Sequence, residues 1–595
     1  MTKPLRFDTP TQTAVFCGAG ISYHSGLPIV KSLLGKILDS MGIEESEGKI
    51  ILESDMPFEY FMETIMNEVV VDDLLDIYNN GEPNATHHYI AALVKSGTVK
   101  TIMTTNFDQL IEKALVEEGI VFKVFADESS FETIDWRSLG VKVIKIHGCV
   151  SDKDRLGITM RAVAGKGMCK GKNSAVSNFF SKGINPNILV MGYSCSDLFD
   201  ISPLIEEIST ERGSNIHFIE HTNSNDIYIE NIGLKIDKNP FKNFNGKRFI
   251  TNTDSFVRDA SGKLDGYKYE FISATTSWEE NVTRWLLGAI EENTCGVVHQ
   301  IPARLFDNIG AFILAKKHFE ASMMTAYSAG NQIMFYSEMG NLAVTLASLG
   351  NYKEARKMLE ESTIACKDLG NVDGEITQLQ ALGNVYRNLS DFELAIAAYD
   401  SAIRLCENER DIWGLCNSLG NAASAYNHTG RPDKAIEYLD NGLGIAIAIG
   451  DKQSEGSMMC SFGFAYAQKG EKLKAAEYIQ KSIEITKMLN DKKGECIALH
   501  NLSNIYLGFE DYKECRKVAF SALEIAMAIH SVPNIARAQY NIGSSYLFTK
   551  GEAKTALGYF YKALENNLKV FEEDSREHMP MVKGIIEAKL LLGIK

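Results

Sequence analysis

The stretch Thr13-Ala-Val-Phe-Cys-Gly-Ala-Gly-Ile-Ser22, with Ser25-Gly-Leu-Pro28 close behind it, decides how the first half of the chain is organised. Ala14 to Phe16 are apolar and predict a short buried strand. The turn Gly18-Ala19-Gly20 comes next, and we expect Ile21 and Ser22 to open a helix. Backbone N–H groups that point outward from such a turn bind anions, and glycine lets a pyrophosphate approach closely. The stretch therefore predicts a phosphate site, with close packing as the alternative explanation for its glycines.

The composition describes a multidomain protein without strong positive charge. At 595 residues, 45% of them hydrophobic, the chain can form two or more buried cores. Lys and Arg number 61 against 77 Asp and Glu, and the net charge of −16 argues against nonspecific nucleic-acid binding. Residues 1–8 lack the apolar core of a signal peptide, and no apolar run reaches the roughly 18 residues of a membrane span. We therefore predict no membrane association. Because none of the 11 cysteines forms a Cys-x-x-Cys pair, we also predict reduced thiols in a cytoplasmic protein.

Polar clusters follow three further apolar segments that predict strands. Val99–Met103 leads into Thr104-Thr105-Asn106-Phe107-Asp108, Val141–Ile146 into His147-Gly148, and Asn187–Met191 into Gly192-Tyr193-Ser194-Cys195-Ser196-Asp197. Open α/β sheets bind ligands at the carboxyl ends of their strands, where the strand order reverses. The alternation of strand and helix patterns predicts a Rossmann-like parallel sheet with helices on both faces. The other predicted strands are Val121–Phe125, Asn215–Glu220 and Lys247–Thr251, and the predicted helices are Ile29–Met41, Phe58–Tyr78, His87–Lys95, Gln109–Glu118 and Trp278–Glu292.

Each cluster has a purely structural explanation when it is taken alone. Asn106, Asp108 and Asp197 are residue types that cap helices well, and a single histidine such as His147 is usually a satisfied surface or core residue. Gly192-Tyr193-Ser194 is compatible with a plain turn. Their recurrence favours function, because four such clusters, the glycine turn included, end four predicted strands in one region.

The order of these motifs resembles the sirtuin family over roughly the first half of the chain. The matching motifs are GAGIS (Gly18–Ser22), SGLP (Ser25–Pro28), PNxxH (Pro83–His87), TTNFD (Thr104–Asp108), HG (His147–Gly148) and GYS (Gly192–Ser194). The resemblance implies that NAD is the ligand. It implies that its phosphates and ribose contact Ala19, Gly20 and Ser22, its nicotinamide ribose Asn106 and His147, its carboxamide Asp108, and its adenosine side Gly192 and Ser194. Gly18, Ile21 and Asp197 complete the predicted NAD-binding set.

Two departures separate this chain from the sirtuin deacylases. Deacylases carry a zinc ribbon of two Cys-x-x-Cys pairs between the HG and GYS positions, whereas this interval holds only Cys149 and Cys169, so no zinc is expected. Deacylases continue with Asp-Phe-Arg after the SGLP motif, where this chain has Ile29-Val30-Lys31. The Gly-Tyr-Ser-x-x-Asp ending is similar to the zinc-free bacterial branch of sirtuin-like NAD hydrolases in antiviral defence. That resemblance implies that NAD is consumed as a substrate.

The chemistry of NAD cleavage suggests roles for Asn106 and His147. Breaking the bond between ribose C1′ and the cationic nicotinamide nitrogen builds an oxocarbenium-like centre, and the leaving group departs neutral. Positioning, water placement and electrostatic support therefore matter more than general-acid help. We predict that Asn106 orients the attacking water. We predict that His147, with a reference pKa of about 6.5, accepts a proton from a ribose hydroxyl or from the water.

From about residue 300 onward the sequence is helical in character and repeats every 40 residues. The small positions are Ala343, Gly383, Ala423, Gly463, Ser503 and Gly543, and the tyrosines are Tyr386, Tyr426, Tyr466, Tyr506 and Tyr546. The turns between paired helices are Gly350-Asn351, Ser390-Asp391, Gly430-Arg431, Gly470-Glu471 and Glu510-Asp511. The pattern resembles a lengthened tetratricopeptide repeat, whose common period is about 34 residues. We predict six units, a partial unit at Asn308–Gly330, a capping helix at Lys583–Leu592, and tyrosines that pack in the core in preference to contacting peptides.

Together these observations predict an α/β NAD-binding catalytic domain over residues 1–295 and an all-α tetratricopeptide solenoid over residues 296–595. The predicted activity is hydrolysis of NAD to nicotinamide and ADP-ribose, which the resemblance places in bacterial anti-phage defence. Solenoids of this kind bind proteins far more often than they do chemistry, so an activating protein, for example a phage protein, is the expected partner. Homo-oligomer formation is a second route to activation. Two other classes stay open: an NAD-dependent deacylase or ADP-ribosyltransferase that recruits its substrate through the repeats, and a silent NAD-binding scaffold.

Overall fold

Two compact units make up the chain, Met1–Asn331 and Gln332–Lys595. The structure is a computed structural model, and it describes residues 9–10, 12–54, 56–159, 170–195, 201–233, 239–262, 264, 278–292, 297–489, 491–529, 531–568 and 578–594. Within these ranges no helix is long and apolar enough to cross a membrane.

The strands of the first unit form one sheet. They are β1 (Thr13–Cys17), β2 (Val99–Thr104), β3 (Phe122–Phe125), β4 (Val141–Lys145), β5 (Asn187–Met191), β6 (Asn215–His221), β7 (Tyr228–Asn231) and β8 (Asn245–Thr251). The order is β3-β4-β2-β1-β5-β6-β8-β7, and every neighbouring pair is parallel except β7 with β8. The chain order reverses at β1, which lies between β2 and β5. The carboxyl ends of these three strands therefore border the crevice where such sheets bind ligands.

Helices cover both faces of this sheet, as the sequence predicts. Alternate residues of β1 enter opposite cores: Ala14 and Phe16 pack on one face, Val15 and Cys17 on the other. The helices are α1 (Val30–Ser40), α2 (Glu45–Leu52), α3 (Phe58–Met66), α4 (Asp72–Leu75), α5 (Ala85–Lys95), α6 (Leu110–Glu117), α7 (Glu128–Glu132), α8 (Lys170–Phe179), α9 (Ile201–Glu206), α10 (Thr253–Ser261), α11 (Trp278–Glu292), α12 (Val297–Asn308) and α13 (Phe312–Ser328). Short 3₁₀ segments lie at Ala19–Ser25, Asp76–Asn79 and Lys153–Arg155. All predicted strands are present.

The prediction of one continuous helix over Phe58–Tyr78 is wrong. Helix α3 ends at Met66, and α4 begins at Asp72. The break falls at Val69-Val70-Val71, where β-branched side chains weaken the helix. Tertiary contacts hold the break, because Val69 and Val71 are buried and the Trp285 indole N–H donates to the Val70 carbonyl at 2.8 Å.

Helices α12 and α13 belong to the first unit, and charged and polar side chains join them to its other helices. Lys317 Nζ lies 2.6 Å from Glu47 Oε1, and His318 Nε2 lies 3.2 Å from Glu47 Oε2. Arg304 Nε lies 3.1 Å from Glu68 Oε1. Helix α13 covers most of the predicted partial repeat, Asn308–Gly330. The structure groups both helices with the α/β sheet.

The second unit is a row of paired helices with the predicted period. Its helices are α14 (Gln332–Ser348), α15 (Tyr352–Asp368), α16 (Val372–Asn388), α17 (Phe392–Glu409), α18 (Ile412–His428), α19 (Pro432–Ile449), α20 (Lys452–Gln468), α21 (Lys472–Met488), α22 (Lys492–Gly508), α23 (Tyr512–Ala528), α24 (Val532–Leu547), α25 (Ala553–Leu568) and α26 (Met579–Leu591). The small residues allow close helix contact: a Cβ on Gly383 would lie 2.5 Å from the Tyr399 ring, and one on Gly463 would lie 2.5 Å from Ile479 Cγ1.

Candidate functional site

The glycine turn after β1 packs against the loop after β5. The Gly18 N–H donates to the Met191 carbonyl at 3.0 Å, and the Gly20 N–H donates to the Gly192 carbonyl at 2.9 Å. A Cβ on Gly18 would lie 2.6 Å from the Gly192 oxygen. The expectation that these N–H groups point outward is therefore wrong for Gly18 and Gly20, because both are used within the protein. Here the glycines allow two loops to touch, which was the alternative explanation.

The residues after the turn form a 3₁₀ helix, Ala19–Ser25, in place of the predicted α-helical start. Ala19 is exposed, whereas Ile21 and Ser22 are buried. The Ile21 N–H also stays within the protein and donates to the Gly18 carbonyl at 3.2 Å. The tight 3₁₀ winding turns the Ser22 hydroxyl into the interior, toward the loop that follows β2.

Ser22, Asn106 and Asp108 form a closed hydrogen-bond triangle. The Ser22 hydroxyl donates to Asp108 Oδ2 at 2.9 Å, and the Asn106 amide nitrogen lies 3.1 Å from Ser22 Oγ and 3.2 Å from Asp108 Oδ2. All three side chains are buried. The other Asp108 oxygen accepts from the Leu110 N–H at the start of α6, at 3.0 Å. The structure thus brings together three predicted site residues from the β1 and β2 ends.

The triangle fixes the orientation of the Asn106 amide. An ionised carboxylate only accepts hydrogen bonds, so the group that faces Asp108 must be the Asn106 nitrogen. The opposite atom, Oδ1, then faces away from the triangle, and no described residue donates a hydrogen bond to it. Asn106 is only 5% exposed, and a buried acceptor without a donor lowers the stability of the folded protein. Such an atom therefore calls for an explanation, for which a functional role is one candidate.

His87 is a fourth member of this cluster that the site prediction missed. Its Nε2 lies 3.4 Å from Ser22 Oγ, and its Nδ1 lies 2.9 Å from Asn84 Oδ1 and 3.2 Å from the Asn84 nitrogen in the capping box of α5. Because an amide oxygen only accepts, the 2.9 Å contact fits a neutral ring with its proton on Nδ1. Burial lowers the pKa of His87 to about 4 against the opposing effect of Asp108. The signal was present in the PNxxH motif.

A buried lysine, Lys145, contacts the cluster through the backbone of Asp108. The Lys145 side chain is fully buried at the end of β4, where Nζ lies 2.9 Å from Glu112 Oε1 and also donates to the Asp108 carbonyl. Burial alone lowers the pKa of Lys145, but the negative charges of Glu112 and Asp108 outweigh it and the net effect raises the pKa. A lysine inside the apolar run of β4 was the sequence signal for this pair, and it was missed.

His147 lies in the turn that follows β4. Its side chain is 8% exposed, and its ring centroid lies 6.2 Å from that of Phe107, the residue between Asn106 and Asp108. The Phe107 carbonyl accepts from the Val150 N–H at 3.0 Å. The β2 and β4 loops are thus tied together, with Phe107 next to His147.

The loop after β5 borders the other side of the glycine turn. Gly192 has φ +64° and a Cβ there would lie 2.4 Å from the Ile21 nitrogen, so only glycine fits. Cys195 has φ +56°, and the Ser194 side chain between them is exposed. Asp197 lies outside the described residues, so its predicted role stays a prediction.

Within the described residues, no group of three or more His, Cys, Asp or Glu side chains is arranged to hold a metal ion. Cys149 is a buried free thiol, and its companion in the HG–GYS interval, Cys169, lies outside the described ranges. Burial and the charge of Asp108 raise the pKa of the Cys17 thiol, which stays protonated beneath the site.

Comparisons with known proteins identify the families that parts of the chain match. A family model described as a SIR2-like domain matches residues 100–234, and a tetratricopeptide-repeat model matches residues 336–408 and 414–488. The NAD(+) hydrolase ThsA of Cytobacillus dafuensis is 28% identical over 187 residues, 31% of this chain and 35% of that protein. An NAD-dependent protein deacetylase of Cutibacterium acnes is 31% identical over 112 residues, 18% of this chain and 41% of that protein. The chain thus spans well under half the length of either relative.

Solved helical-repeat structures are similar to part of the chain. NprR in complex with its cognate peptide NprX is 14% identical with a TM-score of 0.38, covering 52% of this chain and 93% of that one. A Rap protein complexed with competence and sporulation factor is 10% identical with a TM-score of 0.37, covering 53% and 94%.

The fold defines an α/β domain with a parallel sheet and a buried polar cluster at its switch point, followed by helical repeats. More particularly, the chain contains a SIR2-like domain and tetratricopeptide repeats, which confirms the resemblance found in the sequence.

Proposed function

We propose that the first unit hydrolyses NAD to nicotinamide and ADP-ribose, with Asn106 and His147 as catalytic residues. The observation that carries the proposal is the fixed Asn106 amide, whose buried Oδ1 has no donor among the described residues. A fixed carbonyl oxygen accepts a hydrogen bond from water and orients it for attack on ribose C1′. The reaction breaks the bond from C1′ to nicotinamide, adds the water oxygen, and releases one proton, which His147 accepts.

The rest of the predicted set would hold NAD around this point. Ala19 in the glycine turn and Ser194 in the loop after β5 are exposed, and exposed residues there are accessible to a phosphate or ribose. Asp108 and Ser22 position Asn106, and we retain the implied contact of Asp108 with the nicotinamide carboxamide as part of the proposal. No structural zinc is proposed for this domain.

Lysine deacylation is the second candidate, and the 31% identity to a protein named as a deacetylase favours it. The experiment that separates the two is incubation of the purified full-length protein with NAD, with and without an acetylated lysine peptide. Chromatography and mass spectrometry identify the products. Hydrolysis predicts nicotinamide and ADP-ribose without peptide, whereas deacylation predicts O-acetyl-ADP-ribose only when peptide is present.

Variants test the residue assignment within the same assay. Asn106→Ala and His147→Ala are expected to lose most of the activity while remaining folded, because each removes a group that acts on water or proton. Asn67→Ala, an exposed asparagine after α3, is the matched control. If both site variants hydrolyse NAD at the parental rate, the assignment is refuted.

We further propose that the repeats control this activity in a cytoplasmic, bacterial anti-phage system. A free NAD hydrolase depletes its own cell, so a resting state of low activity is expected. A protein partner that binds the active arrangement more tightly than the resting one would shift the population. A shift from about 1:99 to 99:1 requires roughly 5.5 kcal/mol of differential binding, which a protein interface or self-association can supply.

A further inference from the structure

The first unit contains a cavity of about 350 Å³ next to the segment that follows β4, and this volume is in the range of ligand sites. Helix α6 contributes Glu112 to its wall, strand β3 contributes Phe122 and Val124, and the segment after β4 contributes Cys149 and Arg155. We refer to this space as the Glu112 pocket. None of the residues assigned to NAD lines it, so the Glu112 pocket is distinct from the candidate NAD site.

Glu112 brings a carboxylate oxygen without a donor to this pocket. Its Oε1 lies 2.9 Å from Lys145 Nζ, whereas no described residue donates a hydrogen bond to its Oε2. Glu112 is only 8% exposed, and a buried acceptor that is left unsatisfied lowers the stability of the folded protein. Because an ionised carboxylate only accepts hydrogen bonds, the partner that would satisfy Oε2 is an N–H or O–H group.

The wall of the Glu112 pocket carries more negative than positive charge. Three carboxylates line it, from Glu112, Asp127 and Asp152, and its described lining includes one cation, Arg155. The Arg155 side chain is 62% exposed, and its nitrogens lie 3.7 Å from Asp127 Oδ2 and 3.4 Å from Asp152 Oδ2, so both ion pairs are weak. Together with Lys145 behind Glu112, two positive side chains accompany three negative ones. A ligand with one positive charge would balance them.

The positive charge belongs on an organic group. In the part of the chain that the structure describes, no three His, Cys, Asp or Glu side chains are arranged to hold a metal ion. Asp127 Oδ1 is also engaged already, because it accepts from the Ser129 hydroxyl and from the Ser130 N–H. An ammonium or guanidinium group needs no such shared coordination, since each of its N–H bonds can reach a separate acceptor.

Another part of the wall is apolar. Phe122, Val124 and Ala126 are alternate residues along β3 and its end, so they present one face of the strand to the pocket. Lysine and arginine side chains lay their methylene stems along such surfaces and keep the charged end at polar groups. The combination of acidic and apolar lining therefore matches a cation at the end of an aliphatic stem.

The Glu112 pocket is also connected to the candidate active site. Gln109, which lines the pocket, directly follows Asp108 in the chain. Lys145 Nζ contacts both Glu112 Oε1 and the Asp108 carbonyl. A ligand that donates to Glu112 thus acts on the lysine that contacts the Asn106–Asp108 loop.

We propose that the Glu112 pocket binds a primary ammonium or guanidinium group on an aliphatic stem, with an N–H donating to Glu112 Oε2. The stem lies along the β3 residues of the wall. The same chemistry is offered by a free alkylamine and by a lysine or arginine side chain of another protein. Binding stands on the pocket alone, and only an effect on NAD hydrolysis through Lys145 rests on the proposed function.

The test is isothermal titration calorimetry of the full-length protein with n-pentylamine and n-butylguanidine, and with n-pentanol as an uncharged ligand of similar length. We expect saturable binding of the cations at one site and at least about tenfold weaker binding of n-pentanol. Nα-acetyl-lysine methylamide and Nα-acetyl-arginine methylamide identify the source of the cation. Tighter binding of these two than of the simple cations assigns the pocket to a protein side chain, and weaker binding assigns it to a free amine.

Variants of the wall locate the binding. Glu112→Gln is expected to weaken binding of both cations at least about tenfold, and Asp152→Asn about threefold. Because Glu112→Gln also removes the charged partner of Lys145, Val124→Trp is a second test. This change fills the pocket from an exposed position on the edge strand β3, leaves the buried ion pair intact and should abolish binding. Asp154→Asn, an exposed carboxylate of the same segment outside the lining, is the control and should bind as the parent does.

Four results overturn the proposal. They are n-pentanol binding as tight as that of n-pentylamine, cation binding that survives both Glu112→Gln and Val124→Trp, no saturable binding of either cation, and displacement of n-pentylamine by Mg²⁺ or Ca²⁺, which would assign the pocket to a metal ion. Thermal unfolding confirms that each variant is folded. Because the titrations contain no NAD, failure here is distinguishable from failure to hydrolyse NAD.

Discussion

The amide nitrogen of Asn106 lies 3.1 Å from the hydroxyl oxygen of Ser22, although 84 residues separate the two in the chain. This contact joins the ends of β1 and β2 at the switch point of the sheet. Together with Asp108, Ser22 fixes the orientation of the Asn106 amide, for which the sequence alone also allowed a helix-cap role.

Ser22→Ala tests that contact. Hydrogen bonds to charged groups contribute about 1.5–3 kcal/mol, so loss of the Ser22–Asp108–Asn106 triangle should lower kcat/KM for NAD hydrolysis roughly 10- to 100-fold. Initial rates over a range of NAD concentrations measure the effect. Ser96→Ala, a serine whose hydroxyl bonds locally at the end of α5, is the control and should keep the parental rate. An unchanged rate in Ser22→Ala would show that Asn106 is positioned without it.

The lowered pKa of His87 predicts that the free energy of unfolding depends on pH. Its pKa is lowered from 6.5 to about 4 in the folded protein, so the unfolded chain takes up a proton first as the pH falls. The stability contributed by the neutral ring is complete above about pH 6.5 and is lost progressively toward pH 4, by at most about 3 kcal/mol. His87→Gln removes this titration.

Urea unfolding of the parent and of His87→Gln at pH 7 and at pH 4.5 gives the comparison. The parent should lose more stability between the two pH values than the variant. The pKa of His500 in the second unit is also lowered to about 4, so His500→Gln should reduce the loss of stability in the same way and tests the argument at a second buried histidine. Parallel losses in the parent and in His87→Gln would contradict the assigned pKa.

Local patterns in the sequence predicted the sheet and the positions of its polar loops. Asn106 and His147 each follow a predicted strand, and the approach of Asn106 to Ser22 after the glycine turn required only that β1 and β2 be parallel neighbours. The hydrogen bonds of Gly18 and Gly20 to the β5 loop were not predictable, because they depend on which strand lies beside β1. His87 and Lys145 were missed for a similar reason: each resembles a cap or a core residue until its partner on another element, Ser22 or Glu112, is known.

The sequence predicted where the turns of the repeats lie, and the structure adds their backbone conformation. Gly350, Ser390, Gly430, Gly470 and Glu510 all take a positive φ, between +60° and +89°. The sequence identified these positions by period and turn composition, but the left-handed backbone at a serine and a glutamate follows from the shared geometry of the repeat.

Ser390→Gly and Glu510→Gly should therefore stabilise the second unit. A side chain in the left-handed region costs about 1 kcal/mol relative to glycine, so each change is expected to add roughly 0.5–1 kcal/mol to the free energy of unfolding. Chemical denaturation of the full-length protein measures it. Ser401→Gly, in the interior of α17, is the opposite control and should destabilise by up to about 1 kcal/mol. Destabilisation by Ser390→Gly would contradict the role assigned to its backbone.

Two shortened chains test where the first unit ends and whether the repeats control NAD hydrolysis. A chain ending at Glu292 loses Lys317 and His318 from buried Glu47, together with the buried side chains of Phe306 and Phe319. Each such phenylalanine contributes about 1.5–3 kcal/mol when buried, so this chain should unfold at a lower temperature and aggregate more readily than one ending at Asn331. Thermal unfolding and size-exclusion chromatography compare the two.

The chain ending at Asn331 then isolates the effect of the repeats on NAD hydrolysis. If the array restrains the catalytic domain, this chain should hydrolyse NAD faster than the full-length protein without an activator, and a protein that binds the second unit should accelerate only the full-length protein. Asn106→Ala in the shorter chain is the control for contaminating activity. Equal rates in the two chains, with no response of the full-length protein to bound proteins, would refute restraint by the repeats. The array would then act by recruiting a substrate or by assembling several copies of the chain.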